Sequence, residues 1–459
     1  MPRVLIVGLD SVPPLLAFQR YRHVMPHLAH LMDTGCYGPL RSTTPPITVP
    51  AWACMFSGYD PGELGLYGFR NRVPGSYGLQ LVASTDIRRP MLWDRLGRDQ
   101  RACVLFAPPS YPPRAVRGEL VSCFLTPDAD SVHTFPALLG DELRERFGAY
   151  QPDVDSYRTD DLPHLLEQLY AGTAQRFAMA EYLLRTRQPE LTALVEIGPD
   201  RFHHAFWSHI DPDHPKHVPN NPYVDAGRDY YRFLDQQLGR LLEAAGSDTT
   251  VLVVSDHGVR PLLGSIHINQ WLIDHGYLVL SEYPREVTPF SQLAVDWSRT
   301  RAFGEGGYYA RITLNVLGRE PNGIVPESEI EPLCGQLKRE LSCLPGPCGE
   351  VLQHQVVTPR ECYRQTQGTP PDLMLFFANL DYRSNGSVGG AHNWYSPTND
   401  TGPDACNHDW DGIFVMSGPT VAARGAQDGL HNSDVAVTVL GLLGLPATDL
   451  VGVDRRGIA

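Results

Sequence analysis

Three short apolar runs in this chain each lead directly into an acidic residue, and this arrangement constrains the fold more than any other feature. Val4-Leu5-Ile6-Val7-Gly8-Leu9 leads into Asp10, Leu194-Val195-Glu196-Ile197-Gly198-Pro199 into Asp200, and Val251-Leu252-Val253-Val254-Ser255 into Asp256 and His257. Runs of this length read as buried strands, and others recur at Ala102 to Phe106, Leu373 to Phe377 and Ile413 to Met416. Helical patterns lie between several of them. The clearest spans about Val224 to Ala245, where Tyr231, Leu234, Leu238, Leu241 and Leu242 recur at helical spacing before a stop at Gly246. Strands alternating with helices predict an α/β fold, a sheet covered by helices on both faces. In open sheets of this kind ligands gather at the carboxyl ends of strands, where these acidic residues stand.

The 459 residues could fill two or three average domains, but a large α/β enzyme can build them around one sheet. A single catalytic domain over residues 1–459 is the expected organisation. The interval from about 260 to 370 separates two candidate strands by far more than an ordinary loop and reads as an inserted cap or lid with elements of its own. A net charge of -14 argues against nucleic acid held by bulk electrostatics. No stretch approaches the roughly 18 to 20 apolar residues that a membrane span needs. The first strand begins at Arg3, too early to follow a signal peptide, and the nine cysteines are scattered without C-x2-C spacing. These features predict a reduced, cytoplasmic protein whose partner is a small molecule.

Taken singly, an Asp at a strand end is an ordinary helix cap or turn former. The set carries more weight, because three aspartates and three histidines (Asp10, Asp200, His204, Asp256, His257 and His408) supply the oxygen and nitrogen donors that zinc accepts. Asp200 and His204 are four residues apart and share one face if that segment is helical. His203 would then point elsewhere, as a supporting or core residue. His408 differs from the others in preceding its strand. Thr48 lies in Thr44-Pro45-Pro46-Ile47-Thr48-Val49-Pro50-Ala51-Trp52, where it could cap the helix that Pro50 and Ala51 begin. A hydroxyl there also sits in the positive potential of a helix N-terminus, where phosphoryl groups bind well.

Seven motifs occur in order: G-L-D at 8–10, P-P-I-T-V-P-A-W at 45–52, D-R-F-H-H-A-F-W at 200–207, S-D-H-G at 255–258, G-R-E-P-N-G-I-V at 318–325, N-D-T-G-P-D-A-C-N-H at 399–408 and S-D-V-A-V-T-V-L-G-L-L-G-L-P at 433–446. Together they resemble the alkaline phosphatase superfamily, specifically its type I phosphodiesterase/nucleotide pyrophosphatase-like members. The resemblance implies an alkaline phosphatase-like mixed, mostly parallel central sheet with helices on both faces and an inserted cap. It also implies two divalent metal ions, zinc in preference to manganese or iron. One would be held by Asp10, Asp256 and His257 and would contact Thr48; the other would be held by Asp200, His204 and His408. Thr48 would attack phosphorus, forming a phosphothreonine that water then hydrolyses, with the backbone N–H of Val49 steadying the phosphoryl oxygens.

The chain departs from that pattern about twenty residues after Thr48. Many nucleotide pyrophosphatases place an Asn there for a phosphoryl oxygen, whereas this sequence reads Gly68-Phe69-Arg70-Asn71-Arg72. Asn71, Arg70 and Arg72 are therefore the candidate substrate contacts, and the choice between phosphodiester or pyrophosphate and phosphomonoester stays open. Related alternatives are a metal-dependent phosphomutase or a phosphonate hydrolase of the same superfamily, with a catalytically silent metal-binding protein further off. A sulfatase would need a Cys or Ser followed by x-Pro-x-Arg, which neither Cys36 nor Cys54 has. Trp52 and Trp207 read as packing residues. His392 and Asn393 read as loop residues ahead of His408.

Overall fold

Residues Arg3–Leu9 are almost wholly apolar, and in the computed structural model they form a strand buried along nearly its full length. The structure describes residues 2–389, 394–398 and 401–457; His392, Asn393, Asn399 and Asp400 lie outside the described residues. Arg3–Leu9 is the interior strand of a ten-stranded sheet. From one edge the order is Gly425–Ala426, Cys36–Arg41, Asp411–Ser417, Thr249–Val254, Arg3–Leu9, Leu191–Glu196, Ala102–Leu105, Gly118–Val121 and Thr134–Phe135, with Leu430–His431 also paired to Cys36–Arg41. Neighbours run parallel from Thr249–Val254 through Gly118–Val121. A strand with parallel neighbours is covered on both faces, which is why these segments read as continuous apolar runs without alternation.

Two groups of helices accompany the sheet. Pro26–Thr34, Leu162–Arg187, Gly198–Ile210 and Ala226–Ala245 pack against one another, and Thr48–Ser57 packs against Asp434–Leu442. The helix expected near Val224 to Ala245 ends where Gly246 takes a φ of 79°, a left-handed conformation that glycine adopts without a Cβ clash.

The chain divides into two compact units. The first comprises Met1–Leu64, Val82–Val259 and His408–Ala459, and the second Gly65–Leu81 with Arg260–Asn407. The second unit therefore reaches beyond the interval of about 260–370 read from loop length, and it recruits a hairpin, Arg70–Arg72 with Leu79–Leu81, from far upstream. Its own sheet runs Ala302–Glu305, Ala310–Leu314, Leu373–Phe376 and Gln355–Val357, antiparallel throughout. The helix Glu327–Ser342 buries Leu333, Leu337 and Leu341, one per turn, in this unit's core with Phe303, Ile312 and Leu375. The apolar run at Leu373 to Phe377 thus belongs to this second sheet, because a run reports burial and not which sheet buries it. Among the described residues no helix is long and apolar enough to cross a membrane.

Candidate active site

Strand direction brings the chemistry-bearing residues to one edge. Gly8 pairs in parallel register with Val254, and Leu9 with Glu196, so Asp10, Asp256 with His257, and the helix Gly198–Ile210 all emerge together. Asp411–Ser417 runs antiparallel to Thr249–Val254, with Phe414 opposite Val254, so it is the residues before it that arrive at this edge. That is the physical reason His408 precedes its strand while the other residues follow theirs. Cys36–Arg41 is antiparallel in turn, with Arg41 opposite Asp411, and delivers the segment leading to Thr48.

Thr48 is the first residue of the helix Thr48–Ser57, following extended Ile47, so the helix begins two residues earlier than Pro50 suggests. The hydroxyl does not act as the cap; its Oγ1 lies 3.3 Å from His257 Nε2. The same Nε2 is 3.5 Å from Asp10 Oδ1 and 3.2 Å from Asp256 Oδ2. Asp200 Oδ1 is 3.4 Å from His204 Nε2 and 3.6 Å from His408 Nε2, and the His257 and His408 rings stack at 3.7 Å. Thr48, Asp10, Asp200, His204, Asp256, His257 and His408 therefore form one continuous cluster, and each is no more than 1 % exposed.

Three carboxylates buried together are costly unless cations accompany them. Burial, then the proximity of Asp200, pushes the Asp10 carboxyl well above its ordinary range; burial and Asp10 do the same to Asp256. Burial acts on Asp200 in the same direction, but His204, Arg201 and His408 outweigh it and hold that carboxyl well below its ordinary range. Burial depresses His257 to about 4 and His408 well below 6.5, which keeps both imidazoles neutral at neutral pH.

The pattern of used and unused atoms fits divalent cations. Each aspartate has one oxygen held by a donor: Asp10 Oδ2 by Trp52 Nε1 at 2.7 Å, Asp200 Oδ2 by Arg201 Nη1 at 2.7 Å, and Asp256 Oδ1 by the Ser11 N–H at 3.2 Å. The other oxygens, Asp10 Oδ1, Asp200 Oδ1 and Asp256 Oδ2, accept no hydrogen bond from any described residue. His257 Nδ1 lies 2.9 Å from the Gly258 carbonyl and His408 Nδ1 2.8 Å from the Pro46 carbonyl. A carbonyl only accepts, so both Nδ1 atoms carry the proton and Nε2 keeps its lone pair, the arrangement of a metal-ligating histidine. Asp10, Asp256 and His257 offer ligand atoms within 4.8 Å of one another, as do Asp200, His257 and His408. These residues could hold two cations, with His204 beside the second group.

Among the supporting residues, Arg201, Asp153, Phe124 and Tyr157 carried no clear sequence signal. Arg201 bridges Asp200 to Asp153, bonding the latter at 2.7 Å, and its guanidinium lies over the rings of Phe124 and Tyr157. Tyr157 in turn sits 5.3 Å from the His204 ring. His203, adjacent to His204, contacts Ser11 Oγ at 3.3 Å and the Tyr231 hydroxyl at 3.0 Å. In the second unit, Arg72 is buried in an ion pair with Glu320 at 3.0 Å, and the Asn71 amide spans the Tyr67 N–H and the Gly65 carbonyl. Asn71 thus ties the hairpin to residues 65–67 and Arg72 ties it to Glu320, whereas the Arg70 side chain is exposed.

Solved structures share the fold across nearly the whole chain. Human ectonucleotide pyrophosphatase/phosphodiesterase 5 matches with a TM-score of 0.58 at 13% identity, covering 99% of this chain and 98% of that one. Phosphonoacetate hydrolase from Sinorhizobium meliloti 1021, in complex with phosphonoformate, matches with a TM-score of 0.59 at 15% identity, covering 96% of each chain. The murine ectonucleotide pyrophosphatase/phosphodiesterase 5, in an inactive form in complex with AMP, gives 0.56 at 13% identity, covering 99% of this chain and 98% of that one. No curated protein sequence matches the chain. A mixed α/β sheet with this buried carboxylate–imidazole cluster at its carboxyl edge defines a metal-dependent phosphoester hydrolase of the alkaline phosphatase superfamily. Residues 4–410 match the type I phosphodiesterase/nucleotide pyrophosphatase family, and the chain belongs to that family.

Proposed function

We propose that this hydrolase cleaves a phosphate ester of a nucleotide or another small metabolite through a covalent phosphothreonine on Thr48. The observation that carries the reading is the placement of Thr48: a buried hydroxyl on the first residue of a helix, 3.3 Å from His257 Nε2 and inside the carboxylate–imidazole cluster. The first-turn N–H groups of a helix have no partner within it. Pro50 has none to offer and the Ala51 N–H bonds the Ile47 carbonyl, so those of Thr48 and Val49 are the donors available to phosphoryl oxygens. Divalent cations held by Asp10, Asp256 and His257 and by Asp200, His204 and His408 would stabilise the threonine alkoxide and the departing oxygen.

Thr48 Oγ1 forms the bond to phosphorus as the ester oxygen leaves, and water then displaces Oγ1 from the vacated side. Two in-line displacements return the original configuration at phosphorus. A nucleotide is the first substrate class to test, since the murine protein of the same fold holds AMP. Zinc suits the mixed oxygen and nitrogen donors, with manganese or iron as the alternatives.

The deciding experiment strips the protein of metal, reloads it with zinc or manganese, and measures hydrolysis of p-nitrophenyl phosphate and bis(p-nitrophenyl) phosphate. Turnover should require metal, and Thr48→Ala should lower kcat by about 10³-fold or more, as loss of a nucleophile does. Wild-type turnover by Thr48→Ala would rule out the covalent route. The preferred ester would decide between diesterase and monoesterase action.

A further inference from the structure

We infer that Trp52 is a positioning residue of the metal centre: its indole N–H orients Asp10 and ties that carboxylate to the helix that carries Thr48. The inference rests on reading Asp10 as a metal ligand. Trp52 lies four residues after Thr48 in the helix Thr48–Ser57, so the two share a face one turn apart. Its Nε1 is 2.7 Å from Asp10 Oδ2, and both residues are fully buried. An indole N–H can only donate, so the proton lies on the Trp52 side of this bond and Oδ2 is committed as acceptor. Asp10 Oδ1 accepts no hydrogen bond from any described residue and is the oxygen that faces His257.

The strand beneath is shaped to admit the indole. Gly8 lies on the strand Arg3–Leu9, two residues before Asp10. A Cβ on Gly8 would lie 2.4 Å from Trp52 Cη2 and 2.8 Å from Cζ3, so a side chain there would collide with the ring. Gly8 is the opening through which the ring reaches Asp10, and Phe56 stacks on the ring at 5.5 Å. Packing alone does not demand such a bond: Trp207 is buried to a similar degree, and its Nε1 has no hydrogen-bond partner among the described residues. Without the Trp52 donor, Asp10 could rotate about its own side chain, and the distance between the nucleophile helix and the first ligand group would no longer be set by a direct bond.

The test is zinc binding to the metal-stripped protein, followed by calorimetry, for wild type, Trp52→Phe and Trp207→Phe. Phe keeps an aromatic ring at this position and removes the donor together with part of the indole's bulk, and Trp207→Phe is the control for the lost bulk. Trp52→Phe should weaken one of two zinc sites by about 10- to 100-fold, the usual effect of losing a residue that orients a ligand, while the other site and Trp207→Phe stay at wild-type affinity. Wild-type affinity at both sites in Trp52→Phe overturns the inference. Failure of the wild type to bind zinc at all overturns the metal-centre reading and this inference with it. A second measurement needs no variant: with indole ¹⁵N labels on the seven tryptophans, at least one N–H resonance should move when zinc is added. If none moves, Trp52 is not bonded to a metal ligand.

Discussion

Each of the three aspartates in the cluster is bonded through one oxygen and leaves the other facing imidazole nitrogen. The donors come from three different parts of the chain: a tryptophan on the helix Thr48–Ser57, an arginine adjacent to Asp200, and the backbone of Ser11. Ser11 holds a φ of 66°, uncommon for a residue with a Cβ, and its hydroxyl meets His203, which continues to Tyr231. Burial depresses the His203 imidazole from 6.5 to about 3. The unfolded chain takes up a proton below pH 6.5, whereas the folded one resists until about 3. The contribution of neutral His203 is therefore complete above 6.5 and is lost on acidification towards 3, at about 1.4 kcal/mol per pH unit. In urea unfolding of metal-stripped protein, the stability gap between wild type and His203→Gln should narrow steadily from pH 7 to pH 4. A gap that does not change with pH would show that His203 does not titrate in this way. Arg201→Met should cost about 3 to 5 kcal/mol, because it leaves Asp200 and Asp153 without the cation between them, and the same unfolding curves measure it.

Elements place these residues by where they start and stop. The helix Thr48–Ser57 opens on Thr48 and closes at Gly58, whose φ of 78° no other residue adopts as cheaply. A Cβ there would also come within 2.6 Å of Leu450 Cδ1. Gly58→Ala should accordingly lower stability by about 1 kcal/mol or more, read as a fall in Tm, and a variant as stable as wild type would show that the cap does not depend on glycine. Much of this was legible in sequence. Pro50 marks a helix start to within two residues, Gly246 marks the end of Ala226–Ala245, and the runs at Arg3–Leu9, Leu191–Glu196 and Thr249–Val254 are strands. The exact first residue of the Thr48 helix was not legible. A Thr before Val-Pro suits the capping position and the first turn alike, and the choice between them lies in where its hydroxyl finds a partner.

Over the whole molecule, metal would act as a ligand of the folded state alone. If the two groups of ligands bind cations, free zinc at about 100 times Kd should raise stability by about 2.7 kcal/mol per site over stripped protein, and chelation should reverse it. Equal Tm values with and without zinc would contradict a metal centre built from these buried groups. The sequence by itself determined the local terms: which segments are apolar enough to be strands, which donors stand at their ends, and the order of motifs that marks the family. Such signals depend on residues a few positions apart, and periodicity reports that a face is buried without naming what buries it. Only the tertiary structure decided the pairings. The antiparallel course of Asp411–Ser417 brings His408 to the edge where Asp10 and Asp256 emerge, and 65–81 joins 260–407 in one compact unit. The bond from Trp52 to Asp10, 42 residues apart in sequence, likewise depends on Gly8 leaving space for the ring.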